Sequence, residues 1–420
     1  MQYNKTVYSS LSVFGRQRTN RLSAKWQEEA VRFAEKGKCA FLPDEIYYDN
    51  SATTRTREEA AKRVYEMLTS CYGNPSSLHR KGFEAQKQLE LARGQVAASL
   101  GCQSSEIYFT SGGTEADNIA ILGVARAQKR RGNRIVTTAI EHDAVLNTVR
   151  FLEEEGWEIV RLEPDSNGQI SPEQVLEAVN ERTVLVSMMA VNNEVGSILP
   201  VDSVCRQLRR RWPQVLIHCD AVQAWCKEPL RLGKSPDVDL MSVSGHKIYA
   251  PKGIGALYVK KGSRLRPVSF GGGQEKNIRP GTEGIANACA MGLAAELLMG
   301  EREENHKRVS EIRQMLLDGL TKLPDICINS PADGTPYILN FSALGVRSEI
   351  MLHFLEEKGI YVSSGSACAK GGASHVLSAM GLSHERADSA IRLSFGRYNT
   401  PEEVPVFLAA LEEGLERFRR

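Results

Sequence analysis

"EIYFTSGGTEADNIAILGVARAQKRRG", residues 106–132, places a strand-like run, a glycine turn and a helical pattern in direct succession. The apolar and aromatic residues before the turn suit a short buried strand, and the segment after it has the length and spacing of an amphipathic helix. The unit then recurs. "RIVTTAI" is followed by "AVLNTVRFLEEEG", "WEIVRLE" by "SPEQVLEAVNERT" and "VLVSMMAV" by "VDSVCRQLRRRW", and then come "VLIHCDA", "VDLMSVSG" and "GIGALYVKK". Strands separated by helix-length crossovers predict an α/β protein with a mainly parallel sheet covered by helices and an active site where the strands end.

After Gly281 the pattern changes to one long helical stretch, then "PYILNFSA", a helix "RSEIMLHFLEEKG", "IYVSSGS", a helix "SHVLSAMG", "AIRLSF" and a closing helix. This predicts a second, smaller α/β unit. The expected organisation is a large domain over 60–302, a small one built from 47–59 and 303–420, and an extension over 1–46. A chain of 420 residues with 42% hydrophobic residues is long enough for two such cores.

Composition narrows the partners. With 53 basic and 51 acidic residues the formal charge is +2, so no large single-sign field points to nucleic acid or an anionic membrane. No apolar run approaches the roughly 18 residues of a transmembrane helix. The nine cysteines are odd in number and contain no CxxC pair. They predict a reducing compartment, the cytoplasm, with most thiols packed as small apolar groups, and no metal site. Residues 1–25 carry Lys5, Arg16, Arg18, Arg21 and Lys25 and no acid. That composition suits a transit peptide, and it suits no less a disordered or docking arm or an upstream start codon.

The chemistry is sought at the strand ends. In "FTSGGTEADN", Gly112 and Gly113 let the backbone approach a ligand, and the hydroxyls of Ser111 and Thr114 at a helix start suit a phosphate; taken alone, these residues read more readily as a plain glycine turn with Thr114 as N-cap. Asp220, ending the strand in "LIHCDAVQA", is either a helix cap or an anion for a cationic ring nitrogen, with Gln223 three residues on. In "SVSGHKIYAPKGIGALY", Ser244, His246 and Lys247 follow a strand, and a lysine held in a concave site can lose its proton and bond an aldehyde. A phosphate cradle, a ring-nitrogen acid and an aldehyde-binding amine are together what pyridoxal phosphate requires.

"YYDNSATT", "YGNPSSLH", "TSGGTEADN", "EHDAVLNT", "VNNEVG", "HCDAVQ", "SGHKIYAPKG", "IRPGTE", "SSGSAC" and "IRLSFGR" occur in this order from residue 47 almost to the C-terminus. Over close to nine tenths of the chain the sequence thereby resembles the cysteine desulfurases, the NifS/IscS-like branch of the class V aminotransferases with fold type I. The resemblance implies that Lys247 holds pyridoxal phosphate and shuttles the substrate's α-proton. It implies that Asp220 keeps the ring nitrogen protonated, that His142 stacks on the ring and assists proton transfer, and that Gln223 bonds its phenolic oxygen. Gly113, Thr114, Ser244 and His246 would hold the phosphate, with Thr282 supplied by the second subunit of a homodimer. Asn193 and Arg392 would hold the carboxylate of L-cysteine.

Cys368, in "VSSGSACAKGGASH", would take the sulfur as a persulfide, leaving alanine, and pass it to an acceptor protein for iron–sulfur cluster assembly or for tRNA or cofactor thiolation. Small neighbours let such a loop move, and Lys370 favours the thiolate. Two departures stand beside the resemblance. The segment "AKGGAS" between Cys368 and "HVLSAMG" is slightly shorter than in familiar IscS-like members, and the arm before Tyr47 is additional. Selenocysteine lyases and other class V lyases or aminotransferases share Lys247, Asp220 and Arg392 but do not generally need the thiol. A non-catalytic scaffold would need none of these residues.

Overall fold

The computed structural model describes residues 45–230, 232, 238–364 and 374–419. Cys368, Lys370 and the arm through residue 44 lie outside the described residues. From Ile46 onward the chain forms one compact unit.

The described residues form twelve strands: β1 (Ile46–Tyr47), β2 (Ile107–Thr110), β3 (Arg134–Thr138), β4 (Glu158–Leu162), β5 (Thr183–Met189), β6 (Leu216–Asp220), β7 (Leu240–Ser244), β8 (Gly255–Val259), β9 (Ile326–Ile328), β10 (Ile338–Ala343), β11 (Ile360–Tyr361) and β12 (Ala390–Ser394). The helices are α1 (Glu58–Thr69), α2 (Arg80–Leu100), α3 (Gly113–Gln128), α4 (Asp143–Glu154), α5 (Pro172–Ala178), α6 (Val201–Arg211), α7 (Ile285–Leu320), α8 (Ser348–Glu357), α9 (His375–Ala379), α10 (His384–Asp388) and α11 (Glu403–Phe418).

The main sheet has seven strands in the order β2-β8-β7-β6-β5-β3-β4. Strands β4, β3, β5, β6 and β7 are mutually parallel, while β8 runs antiparallel to both of its neighbours. The short link after Lys247 explains β8: a return of a few residues suffices for an antiparallel partner but not for a parallel crossover. Every residue of β5, "TVLVSMM", is buried, as a central strand covered on both faces requires.

Side chains alternate between two apolar cores. Ile135, Leu185, Leu240 and Leu257 face Ile119 and Val124 of α3 and Val145 and Val149 of α4. Val136, Val186, Ile217, Met241 and Ala256 face the opposite core, shared with Val96 of α2, Leu208 of α6 and Ala288 of α7. Strand period and helix stripe therefore agree.

The chain order reverses between β3 and β5, which are adjacent although β4 lies between them in sequence. Crevices open outside the carboxyl ends of strands at such a point. A second, antiparallel sheet, β12-β10-β9, carries Arg392 opposite Asn340. The two-stranded pair β1-β11 continues into a bridge between Asp49 and Ser394, and this brings residues 49–54 to the crevice.

Candidate active site

A cavity of about 490 Å³ opens at the carboxyl ends of β2, β3, β5, β6 and β7. Ten residues expected at the site line it: Gly113, Thr114, His142, Asn193, Asp220, Gln223, Ser244, His246, Lys247 and Arg392. Thr282 lies elsewhere, in a cavity of about 150 Å³ with Ser111, Gly253 and Arg279.

The start of α3 forms one wall. Gly112 occupies the cap position and Thr114 sits inside the first turn, so Thr114 is not the N-cap. A Cβ on Gly113 would come within 2.7 Å of Val222 Cγ2, so only glycine lets the helix start pack against the loop after β6. Gly113 and Thr114 of this helix start line the cavity, with Ser244 alongside, and the first amides of a helix have no partner within the helix itself.

Lys247 follows β7 in a single tight turn. Its Nζ donates to the carbonyl of Ala52 at 2.7 Å and to that of Ser51. Burial pushes its ammonium down to about 7, with Lys227 and Arg392 adding repulsion against the pull of Asp49 and Asp220. An amine in that range is available in neutral form near neutral pH. His246 beside it is pushed down to about 4, chiefly by burial, and is therefore neutral there.

Asp220 ends β6 on the face toward α3, and its Oδ1 accepts the Val222 amide at 2.9 Å. Burial pushes its carboxyl up, while that amide, His142 and Lys247 act in the opposite direction. The neighbouring carboxyl of Asp117 is pushed well up by burial and by Asp220. Its Oδ1 has no hydrogen-bond partner among the described residues and lies 3.5 Å from His218 Nε2, whose ring burial holds near 3 and so neutral. Two adjacent buried carboxyls do not both ionise readily. Asp220, with an amide donor and the Lys247 amine nearby, is the better anion, and Asp117 is the better place for the proton.

His142 caps α4: its Nδ1 accepts the Ala144 amide at 3.1 Å, which leaves Nε2 as the protonated nitrogen. Arg392 is 2% exposed. Its Nη2 donates to Asp49 at 2.8 Å and its Nη1 to the Asn193 carbonyl at 3.0 Å, while Nε has no partner among the described residues. A guanidinium that lines the cavity, with five N–H donors of which these two bonds take only two, suits a carboxylate.

Several pocket residues escaped the sequence reading although they sit inside the quoted motifs. Ser51 and Ala52 act through backbone carbonyls, which no residue type announces. Asp117 and Glu194 look like ordinary helix-start and loop acids. His375 lines the cavity with its Nε2 3.0 Å from the Glu141 carbonyl, and Ser374 donates its hydroxyl to Glu194.

The chain can now be set beside known proteins. The aminotransferase class-V family pattern matches residues 46–407. This chain belongs to that family. Within it, the chain is 40% identical over 381 residues to cysteine desulfurase IscS of Clostridium botulinum, covering 89% of this chain and 95% of that one. It is 43% identical over 379 residues to a NifS/IcsS protein homolog of Lactobacillus delbrueckii, covering 89% and 98%. Among solved structures, a NifS-like protein superposes with a TM-score of 0.85 at 39% identity over 89% of this chain and all of that one. DndA from Streptomyces lividans superposes at 0.71 with 37% identity over 84% and 99%. This class V aminotransferase therefore falls in the NifS/IscS-like cysteine desulfurase branch.

One buried acid of this family member has a measurable signature. Glu141 is fully buried, with Oε1 accepting from the Thr138 hydroxyl at 2.7 Å and the Met189 amide at 2.9 Å, and Oε2 unpartnered. Burial pushes its carboxyl up to about 8, from an ordinary 4.5, against those two hydrogen bonds. The folded value is raised, so the stability this group contributes is complete below about 4.5 and is lost as pH rises through about 8. The loss is on the order of 5 kcal/mol. Glu141→Gln keeps the accepting oxygen and cannot ionise. Unfolding temperatures taken from pH 5 to pH 9 should show an advantage of the variant over the wild type that grows with pH. Parallel profiles would mean that Glu141 is already ionised in the folded protein.

Proposed function

We propose that the chain is a pyridoxal phosphate-dependent cysteine desulfurase that converts L-cysteine to L-alanine and passes the sulfur, as a persulfide on Cys368, to an acceptor protein. The observation carrying this reading is the meeting of a neutralisable Lys247, a buried Asp220 and a buried Arg392 in one cavity of a chain about 40% identical to named cysteine desulfurases.

The residues present fit the cofactor. The α3 start, Thr114, Ser244 and His246 supply neutral donors for a phosphate, Lys247 supplies the amine, Asp220 supplies an anion for the ring nitrogen, and Gln223 supplies a donor for the phenolic oxygen. When bound, pyridoxal phosphate supplies an aldehyde that bonds amines and a ring that stores the electron pair released at the substrate's α-carbon.

Arg392 binds and orients the substrate carboxylate, with Asn193 beside it. Lys247 removes the α-proton as a free amine and returns a proton as the product forms, and His142 Nε2–H assists. The Cys368 thiolate attacks the substrate sulfur: the carbon–sulfur bond breaks, a sulfur–sulfur bond forms, and the β-carbon takes the thiol proton. Cysteine plus thiolate thus become alanine plus persulfide, with no outside oxidant or reductant.

The same proposal includes a homodimer in which Thr282 reaches the partner's phosphate site. It is supported by the separation of Thr282 from its own chain's cavity and by the exposed apolar side chains Tyr65, Leu68, Tyr72, Leu78 and Phe83. It includes the division into a large part, 60–302, and a small part, 47–59 with 303–420, which agrees with the distribution of β2–β8 and of β9, β10 and β12. It also includes delivery of sulfur to iron–sulfur assembly or thiolation in the cytoplasm. No helix of the described residues is long and apolar enough to cross a membrane.

The test is to incubate the cofactor-loaded protein with L-cysteine and a dithiol. Alanine and sulfide should appear in equal amounts, and peptide mass spectrometry before reduction should find the extra sulfur on Cys368. Turnover of selenocysteine with none of cysteine would replace this reading by a selenium-specific lyase.

A further inference from the structure

Lys227 does not line the cavity, yet it is only 5% exposed and lies one residue behind its wall. Its Nζ is 3.4 Å from Gln223 Oε1 and 5.7 Å from the centroid of the Tyr337 ring. The other end of the same amide, Gln223 Nε2, donates to the Ser51 carbonyl at 3.0 Å. Ser51 is also the carbonyl that accepts from Lys247. Two lysines are thus joined through one glutamine amide and one backbone oxygen.

The chemistry at both ends leaves the amide no choice. An ammonium has three donors and no acceptor, so it can face only the oxygen of Gln223; a carbonyl only accepts, so Ser51 can face only the nitrogen. With Oε1 and one N–H so engaged, the second N–H of Nε2 is what Gln223 keeps for the cavity it lines. Without Lys227 the Ser51 carbonyl alone would hold the amide in this sense, and Oε1 would lose its donor.

We propose that Lys227 is a positioning residue of the cofactor site: it locks Gln223 as a hydrogen-bond donor toward a bound anionic oxygen and places a fixed positive charge behind the Lys247 amine. This rests on the reading of the cavity as a pyridoxal phosphate site. The electrostatics agree with the geometry. After burial, Lys227 is the largest influence lowering Lys247, ahead of Arg392, with Asp49 and Asp220 opposing. Lys227 is itself held near 8 by burial, with Glu228 and Cys226 acting to raise it. It stays mostly protonated at a pH where Lys247 begins to lose its proton. Glu228 is committed elsewhere, since its Oε1 accepts the Thr335 hydroxyl.

Two variants separate the two roles, and cofactor capture by the apoprotein reads both without turnover. Pyridoxal phosphate is added across a pH series and followed by absorbance, which gives an affinity and a pH midpoint. Lys227→Gln can still donate to Gln223 Oε1 but carries no charge, so it should move the midpoint upward by about one pH unit while leaving affinity at high pH nearly unchanged. Lys227→Met loses donor and charge, so it should move the midpoint equally and weaken affinity about tenfold. Lys227→Arg should restore both.

Midpoints that coincide with the wild type in both neutral variants would overturn the proposal and leave Lys227 as a packed side chain. So would an arginine variant that behaves like the methionine one, because size rather than charge would then be decisive. Unfolding temperatures of the apoproteins are measured alongside. If Lys227→Met does not fold, Lys227→Gln and Lys227→Arg alone decide the charge role. A wild-type apoprotein that captures no pyridoxal phosphate at any pH would instead overturn the functional reading beneath the proposal.

Discussion

Lys247→Ala should reduce alanine formation from L-cysteine by at least about a thousandfold, the scale of a lost general acid–base group together with lost anchoring of the cofactor. The variant should still fold, because the substitution removes a charged group from a site where burial opposes the charge. The carbonyls of Ser51 and Ala52, left without the amine, open on the cavity, where water can satisfy them. A small primary amine added to the medium should restore part of the rate, and more so as pH rises toward the added amine's own pKa, since only its free base accepts the α-proton. A variant that turns over cysteine within tenfold of the wild type would place the proton shuttle on another residue.

Cys368→Ala should abolish sulfide release, by at least about a hundredfold, while capture of pyridoxal phosphate stays at the wild-type level. The described cysteines provide no substitute. None of them lines the cavity. Burial pushes the Cys102 thiol up to about 12 and Cys289 to about 11, and it raises Cys219 and Cys226 as well, so these thiols stay protonated and unreactive. The chain on either side of residues 365–373 is tied to the cavity's edge. Ser363 pairs with the backbone of Arg392, and Ser374 donates to Glu194, itself a cavity residue. Unchanged sulfide release would remove Cys368 from the reaction and favour a lyase that needs no thiol.

Much of this is legible in the sequence. Alternating strand and helix patterns are local properties of the chain, and they set the sheet, its helices and the edge where function would gather. Nine of the ten expected site residues that line the cavity sit at or just after the carboxyl ends of β2, β3, β5, β6 and β7, and Arg392 joins them from β12 of the antiparallel sheet. Readings that depended on a single residue type fared less evenly. Thr114 could be a cap or a ligand donor from sequence, and the cap is instead Gly112. Asp220 could be a cap or a ring partner, and it accepts a local amide while still lining the cavity.

The sequence alone determined which chemical groups the chain carries and which of them lie at strand ends, because residue type and short-range period are written in order along it. Only the tertiary structure decided their protonation and their partners. Lys247 meets carbonyls nearly two hundred residues away, Arg392 meets Asp49 from the other end of the chain, and Lys227 acts through Gln223 from behind the wall. Burial and the charges within a few ångströms govern a proton's affinity, and both are sums over neighbours that folding assembles and sequence order does not reveal.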